Sequence, residues 1–223
     1  MNYKDKELII FDFDGTLIDS VPDLTLAVNI LLSHYDLKPV TIEEATPFIG
    51  NGVKILVERA LKHALPAEKV TNELFEEALE VYLKAYKDNL CVDTYLYEGV
   101  KDTLKYLHKK EYILAICTNK PFEFIEPILD ELSITQFFKY WIGGDSLPEK
   151  KPGGAPLLHI AAEMKKDVKQ CVMIGDSRND ILAAQNAGMD SIGVSYGYNY
   201  NEHISDYDPS KVVDKFAELQ SLF

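Results

Sequence analysis

Ile9-Ile10-Phe11-Asp12-Phe13-Asp14-Gly15-Thr16 is an apolar run that ends in two carboxylates two residues apart, followed by Gly-Thr. The run is rich in β-branched and aromatic residues and stands between polar segments, so it reads as a buried parallel strand over residues 7–13. Side chains alternate along a strand, which starts Asp12 and Asp14 on the same side. Gly15 lets the backbone turn away. Two acids then sit at the carboxyl end of a central strand, where open α/β sheets bind ligands. Like charges held that close repel, and burial worsens the repulsion. A metal ion, a shared proton or a cationic partner must compensate.

Three later stretches point to the same chemistry. Tyr112 to Cys117 is a second apolar strand, running into Thr118-Asn119-Lys120-Pro121. Pro121 suits the first turn of a helix, whose exposed amides, with Thr118 and Asn119, could hold an anion. Lys150-Lys151-Pro152-Gly153-Gly154 brings a cation to a loop that opens a helix. Val172-Met173-Ile174-Gly175-Asp176-Ser177-Arg178-Asn179-Asp180 is another apolar strand that runs into carboxylates. Asp176 and Asp180 share a face if the helix begins near Ser177. Each alone has an ordinary explanation: Asp after a strand is a common helix cap, and a lone lysine is commonly solvated. Four in this order, each at a strand's carboxyl end, would need four coincidences.

Around these stretches the chain organises as one core interrupted once. From about residue 21 to 90 the pattern is helical. Val21-Pro22-Asp23 opens a helix toward Tyr35, Gly52 to Leu65 gives a second, and Thr71 to Asn89 a third with Leu74, Ala78, Val81 and Tyr82 inward. After Gly99, helices over 99–110, 121–132, 153–165 and 179–187 alternate with strands over 112–117, 138–143, 170–174 and 190–195. Such alternation builds a parallel sheet with helices on both faces. A polar, loop-like tail follows Tyr196, and a final helix is predicted from about Lys211 to Leu222. The expected division is a core of residues 1–17 and 92–223 with a cap of residues 18–91.

The bulk properties agree with an ordinary water-soluble chain. In 223 residues, 47% are hydrophobic and 26% charged, enough apolar material for one large domain or a domain with an insert. The net charge of −13 argues against nucleic acid and anionic membranes, which attract basic surfaces. An anionic substrate must then be held by a local positive site. No long uncharged apolar segment stands in the chain and the N-terminus leads directly into the first strand, so a cytoplasmic location is expected. Cys91, Cys117 and Cys171 show no metal-binding spacing and read as structural thiols.

Asp12-Phe13-Asp14-Gly15-Thr16, Thr118, Lys151 and Gly175-Asp176-Ser177-Arg178-Asn179-Asp180 together resemble the four motifs of the haloacid dehalogenase superfamily of phosphohydrolases. The resemblance covers nearly the whole chain. It is greatest to the members that cleave phosphoglycolate, through Asp14 to Ser20, Ile49-Gly50-Asn51-Gly52 with Val53 to Leu61, and Lys151-Pro152 with Ala155-Pro156-Leu157-Leu158. It implies a Rossmann-like, doubly wound α/β core with an inserted α-helical cap. It also implies a Mg²⁺-dependent phosphomonoester hydrolase acting on a small phosphorylated metabolite such as 2-phosphoglycolate, as a monomer or homodimer. In relatives the loop after Lys151-Pro152 often carries another proline; Gly153-Gly154 is expected to make it more mobile here.

The roles follow from that resemblance and from the needs of phosphoryl transfer. Asp12 is the expected nucleophile, and Asp14 the acid that protonates the leaving oxygen and then deprotonates water. Thr118 and Lys151 would hold the phosphoryl oxygens, with Asn119 assisting. Asp12, the backbone carbonyl of Asp14, and Asp176 are the expected Mg²⁺ ligands, and Asp180 is expected to orient Lys151 or a metal-bound water. The cap should act as a lid, with Gly50-Asn51-Gly52 and Lys54 or Arg59 facing the leaving group; the competing reading is a plain interhelical turn. Rival activities on the same framework are a pyrophosphatase, a sugar-phosphate phosphatase and β-phosphoglucomutase. A phospho-ligand binding module without catalysis is the alternative outside enzymes.

Overall fold

The computed structural model describes residues 3–200 and 202–223. They form two compact units, residues 3–19 with 96–223, and Ser20–Tyr95.

In the first unit six strands form one parallel sheet: β1 (Leu8–Phe11), β2 (Ile113–Cys117), β3 (Tyr140–Ile142), β4 (Cys171–Gly175), β5 (Asp190–Val194) and β6 (Lys211–Val213), in the order β3-β2-β1-β4-β5-β6. β1 pairs on both sides, Leu8 facing Ile113 and Cys171, and Phe11 facing Ile116 and Ile174. That explains its unbroken apolar sequence: a strand with two neighbours and two covered faces has no side that wants polar groups. Leu8 and Ile10 share one face with Ala115, Cys117 and Met173, packed against Leu157, Ile160, Ala183 and Ala184. Phe11 points the other way, onto Phe138 and Phe216 at 6.3 and 5.7 Å. The winding reverses between β1 and β4, which sets a crevice at their carboxyl ends.

The helices beside the sheet are α5 (Val100–Lys109), α6 (Ile125–Glu131), α7 (Ala155–Glu163) and α8 (Arg178–Ala187). Two expectations are corrected. Residues 121–132 are not one helix: a 3₁₀ turn, Phe122–Phe124, precedes α6. The predicted final helix is instead β6, extending the sheet beside β5, followed by a 3₁₀ segment at Phe216–Ser221. Val212 and Val213 favour a strand, and Ile192 to Val194 offer an edge to pair with.

The second unit is helical: α1 (Val21–His34), α2 (Ile42–Ala45), α3 (Val53–Ala64) and α4 (Asn72–Asp88). Of Val53, Leu56, Val57, Ala60 and Leu61, which the spacing on α3 predicts to face inward, the last four are buried and Val53 is only half-buried. On α4 the buried face runs through Ala78, Leu79, Tyr82, Ala85 and Tyr86, while Leu74 and Val81 lie half-buried at its margin. α2 was not foreseen, although Thr41 and Glu44 make a reciprocal capping box. Asp23, in the first turn of α1, closes the unit. Its buried carboxylate accepts from the Asp93 and Thr94 amides at 2.9 and 3.0 Å and from Thr94 Oγ1. Among the described residues no helix is long and apolar enough to cross a membrane.

Candidate active site

Asp12 follows β1 directly, and its amide still reaches Ile174 O at 2.9 Å, so its position is tied to the sheet. The chain then turns at Gly15, whose φ is +88°. A Cβ there would stand 2.4 Å from Asp176 Oδ2. Glycine thus serves twice: it takes the turn, and it lets the end of β4 close on the end of β1.

Two lysines compensate the acid pair. Lys151 Nζ lies 2.8 Å from Asp12 Oδ1 and 2.6 Å from Asp180 Oδ1. Lys120 Nζ lies 2.8 and 3.1 Å from the two oxygens of Asp14. Lys151 is 1% exposed, Asp180 0%, Asp176 2% and Lys120 5%. Sequence reasoning gave Lys120 no role. Its one signal is its place directly after Thr118-Asn119 at a strand end.

Asp176 and Asp180 come together at a helix that begins near Ser177, as the spacing requires. α8 starts at Arg178, with Ser177 as its cap, so Asp176 lies in the turn before the helix. Asp180 folds back to accept from Ser177 N at 3.0 Å and Ser177 Oγ at 2.8 Å. Asp176 accepts from Thr16 Oγ1 at 2.8 Å and from the Tyr198 amide at 2.6 Å. Tyr198 also reaches Asp19 Oδ1 at 2.7 Å. Thr16 stands in the first motif without an assigned role, and Tyr198 lies in what the sequence presents as a polar loop.

Carboxylate oxygens of Asp12, Asp176 and Asp180 lie within 4.8 Å of one another. Burial, then the neighbouring Asp180, pushes the Asp12 carboxyl up to about 7 against the opposing pull of Lys151. Burial, with Asp180 and Asp12, lifts Asp176 well above the usual carboxylate range. Burial pulls Lys151 down, but Asp12 and Asp180 outweigh it and hold its ammonium above the ordinary lysine value. Three clustered buried carboxylates, two of them on the Lys151 ammonium, leave negative charge to balance when ionised. Hard oxygen donors so arranged suit a divalent cation. Asp14 stands apart from this group, because its carboxylate goes to Lys120.

The remaining expected residues divide. Thr118 is buried, and its hydroxyl accepts from the Lys120 amide at 3.1 Å. Pro121 precedes a 3₁₀ turn and does not open an α-helix; the Phe122 amide is bonded to Asp145. One amide of the expected anion site, that of Phe122, is thus already engaged. Asn119 donates from Nδ2 to Lys151 O at 3.0 Å, and Asn186 to Pro152 O at 2.9 Å. These bonds hold the Lys151 loop from both sides despite Gly153-Gly154. Burial pushes the Cys117 thiol up to about 12, which favours its protonated form.

In the helical unit, Gly50 and Gly52 adopt φ of 103° and 85° around Asn51, just before α3. Arg59 reaches back to them, donating to Pro47 O, Phe48 O and Asn51 Oδ1 at 3.1, 3.2 and 2.9 Å. The Arg59 guanidinium therefore shapes the loop. Lys54 is exposed.

A family model for haloacid dehalogenase-like hydrolases matches residues 9–194. A phosphoglycolate phosphatase of Colwellia psychrerythraea is 46% identical over 222 residues, spanning 98% of this chain and 97% of its own. One from Psychrobacter arcticus is 45% identical over 217 residues, spanning 96% and 94%. The crystal structure of a predicted phosphoglycolate phosphatase from Haemophilus somnus superposes with a TM-score of 0.94 at 39% identity, over 98% of both chains.

Proposed function

The chain belongs to the haloacid dehalogenase-like hydrolases and is a phosphatase, and from that premise we propose a Mg²⁺-dependent phosphomonoester hydrolase whose substrate is 2-phosphoglycolate. One observation carries the mechanism: a buried carboxylate, Asp12, held by Lys151 at 2.8 Å beside a second, separately held carboxyl, Asp14. The substrate rests on the relatives' names and on nearly full-length identity.

Asp12 and Asp176 would hold Mg²⁺ with the backbone carbonyl of Asp14, and Asp180 stands beside them. When bound, the cation neutralises charge on the phosphoryl oxygens. Lys151 favours the ionised form of Asp12, the form that attacks phosphorus, against the burial that raises it. The P–O bond to the leaving group breaks, and Asp14 gives that oxygen a proton. Asp14 then takes a proton from water as the water attacks phosphorus, and the bond to Asp12 breaks. Lys151 and Thr118 steady the phosphoryl oxygens throughout. Asp180 keeps Lys151 in register through its 2.6 Å contact.

The test is phosphate release, with and without Mg²⁺, from 2-phosphoglycolate, pyrophosphate, β-glucose 1-phosphate and a nucleoside monophosphate, with Asp12→Asn as control. The expected result is Mg²⁺-dependent release with 2-phosphoglycolate preferred, lost in Asp12→Asn by at least about 10³-fold. Preference for another ester would remove the substrate and leave the mechanism standing. Release undiminished in Asp12→Asn would remove the nucleophile.

A further inference from the structure

Lys120 has no part in the reaction as derived from Asp12, Asp14, Thr118 and Lys151, yet it is built into the site. Its ammonium is almost fully buried, and such a group is costly to bury unless an anion meets it. The backbone that carries it is fixed on three sides. The Lys120 amide donates to Thr118 Oγ1, its carbonyl accepts from Gly144 N at 2.9 Å, and the next residue but one, Phe122, donates its amide to Asp145. The cation is thus held beside the carboxyl proposed to serve the leaving oxygen.

A leaving group begins at that oxygen. In 2-phosphoglycolate a single methylene separates it from a carboxylate, so the carboxylate comes to rest close to Asp14. As Asp14 gives its proton to the leaving oxygen it becomes a carboxylate, and a second carboxylate beside it needs a cation. An ammonium can divide its three donors between Asp14 and an incoming carboxylate. We propose that Lys120 is a specificity-determining residue: shared with Asp14, it binds the carboxylate of the leaving group and selects esters whose leaving group carries one. This places part of the substrate choice in the core unit, and it rests on the substrate reading above.

The experiment compares kcat/KM for 2-phosphoglycolate and for ethyl phosphate, the same kind of ester without the carboxylate, in the full chain with Mg²⁺. Wild type is expected to prefer 2-phosphoglycolate. In Lys120→Met that preference falls about 10- to 100-fold, the loss of a charge-assisted hydrogen bond, whatever happens to the absolute rates. Lys120→Arg, which keeps the charge, retains most of it. Lys120→Gln supplies a second neutral side chain should Lys120→Met fold poorly, and its preference must fall too. A preference that survives in the neutral variants overturns the role of Lys120 alone. A wild type without preference overturns the substrate reading and Lys120 with it.

Discussion

Asp180 shows how much one side chain does here without touching substrate in the proposed reaction. One oxygen holds Lys151 and the other caps α8 through Ser177. Asp180→Asn keeps an acceptor but removes the charge that draws Lys151 into place. We expect kcat to fall about 10- to 100-fold, as for residues that orient catalytic groups, with a smaller change in Mg²⁺ affinity than Asp176→Asn causes. Steady-state kinetics with Mg²⁺ titrations of both variants check this; equal metal defects in the two would make Asp180 a ligand like Asp176. The pairing of Asp14 with Lys120 belongs to the same scale and was not legible in the sequence. The two are 106 residues apart, and strand patterning specifies which strand end a residue occupies, not which neighbour its side chain meets.

At the scale of elements, the end of β3 acts as a brace. Gly143-Gly144 follow Ile142, and a Cβ on Gly144 would stand 2.4 Å from Asn119 O, a backbone atom with little room to yield. Gly144→Ala must push β3 away from the Thr118–Lys120 loop or displace that loop. The expected cost is about 1–3 kcal/mol of stability with a fall in turnover, measured by thermal unfolding and phosphate release. Unchanged values would show that the contact relaxes without consequence. The buried strands β1, β2 and β4 were plain in the sequence, because strands covered on both faces are apolar throughout. β6 was not, because three residues are too few for a period and the following Phe216, Ala217 and Leu219 read as helical. The nearness of Asp176 and Asp180 was legible from a helix start near Ser177, which the structure has; the capping box between Ser177 and Asp180 that fixes the Asp180 side chain was not.

For the molecule as a whole, the buried acids make stability depend on pH and on the cation together. Asp12 is raised from 3.8 to about 7 by burial and by Asp180, and Asp176 is raised well above its ordinary value by burial and both other acids. Both carboxyls therefore hold a proton more tightly in the folded chain than in the unfolded one. That support is complete below about pH 4 and is lost as pH rises toward 7, worth at most about 4 kcal/mol for Asp12. A divalent cation acts in the opposite sense, since it needs the carboxylates ionised and replaces the protons they give up. In chelator the unfolding temperature should thus fall between about pH 5 and about pH 8. Saturating Mg²⁺ should restore it, by a larger increment at the higher pH. Asp176→Asn removes one of the charges that require the cation, so its increment should shrink most at about pH 8. Differential scanning calorimetry of wild type and variant at both pH values decides the matter. An increment that does not change with pH would mean that Mg²⁺ stabilises the fold at some place other than these three carboxylates.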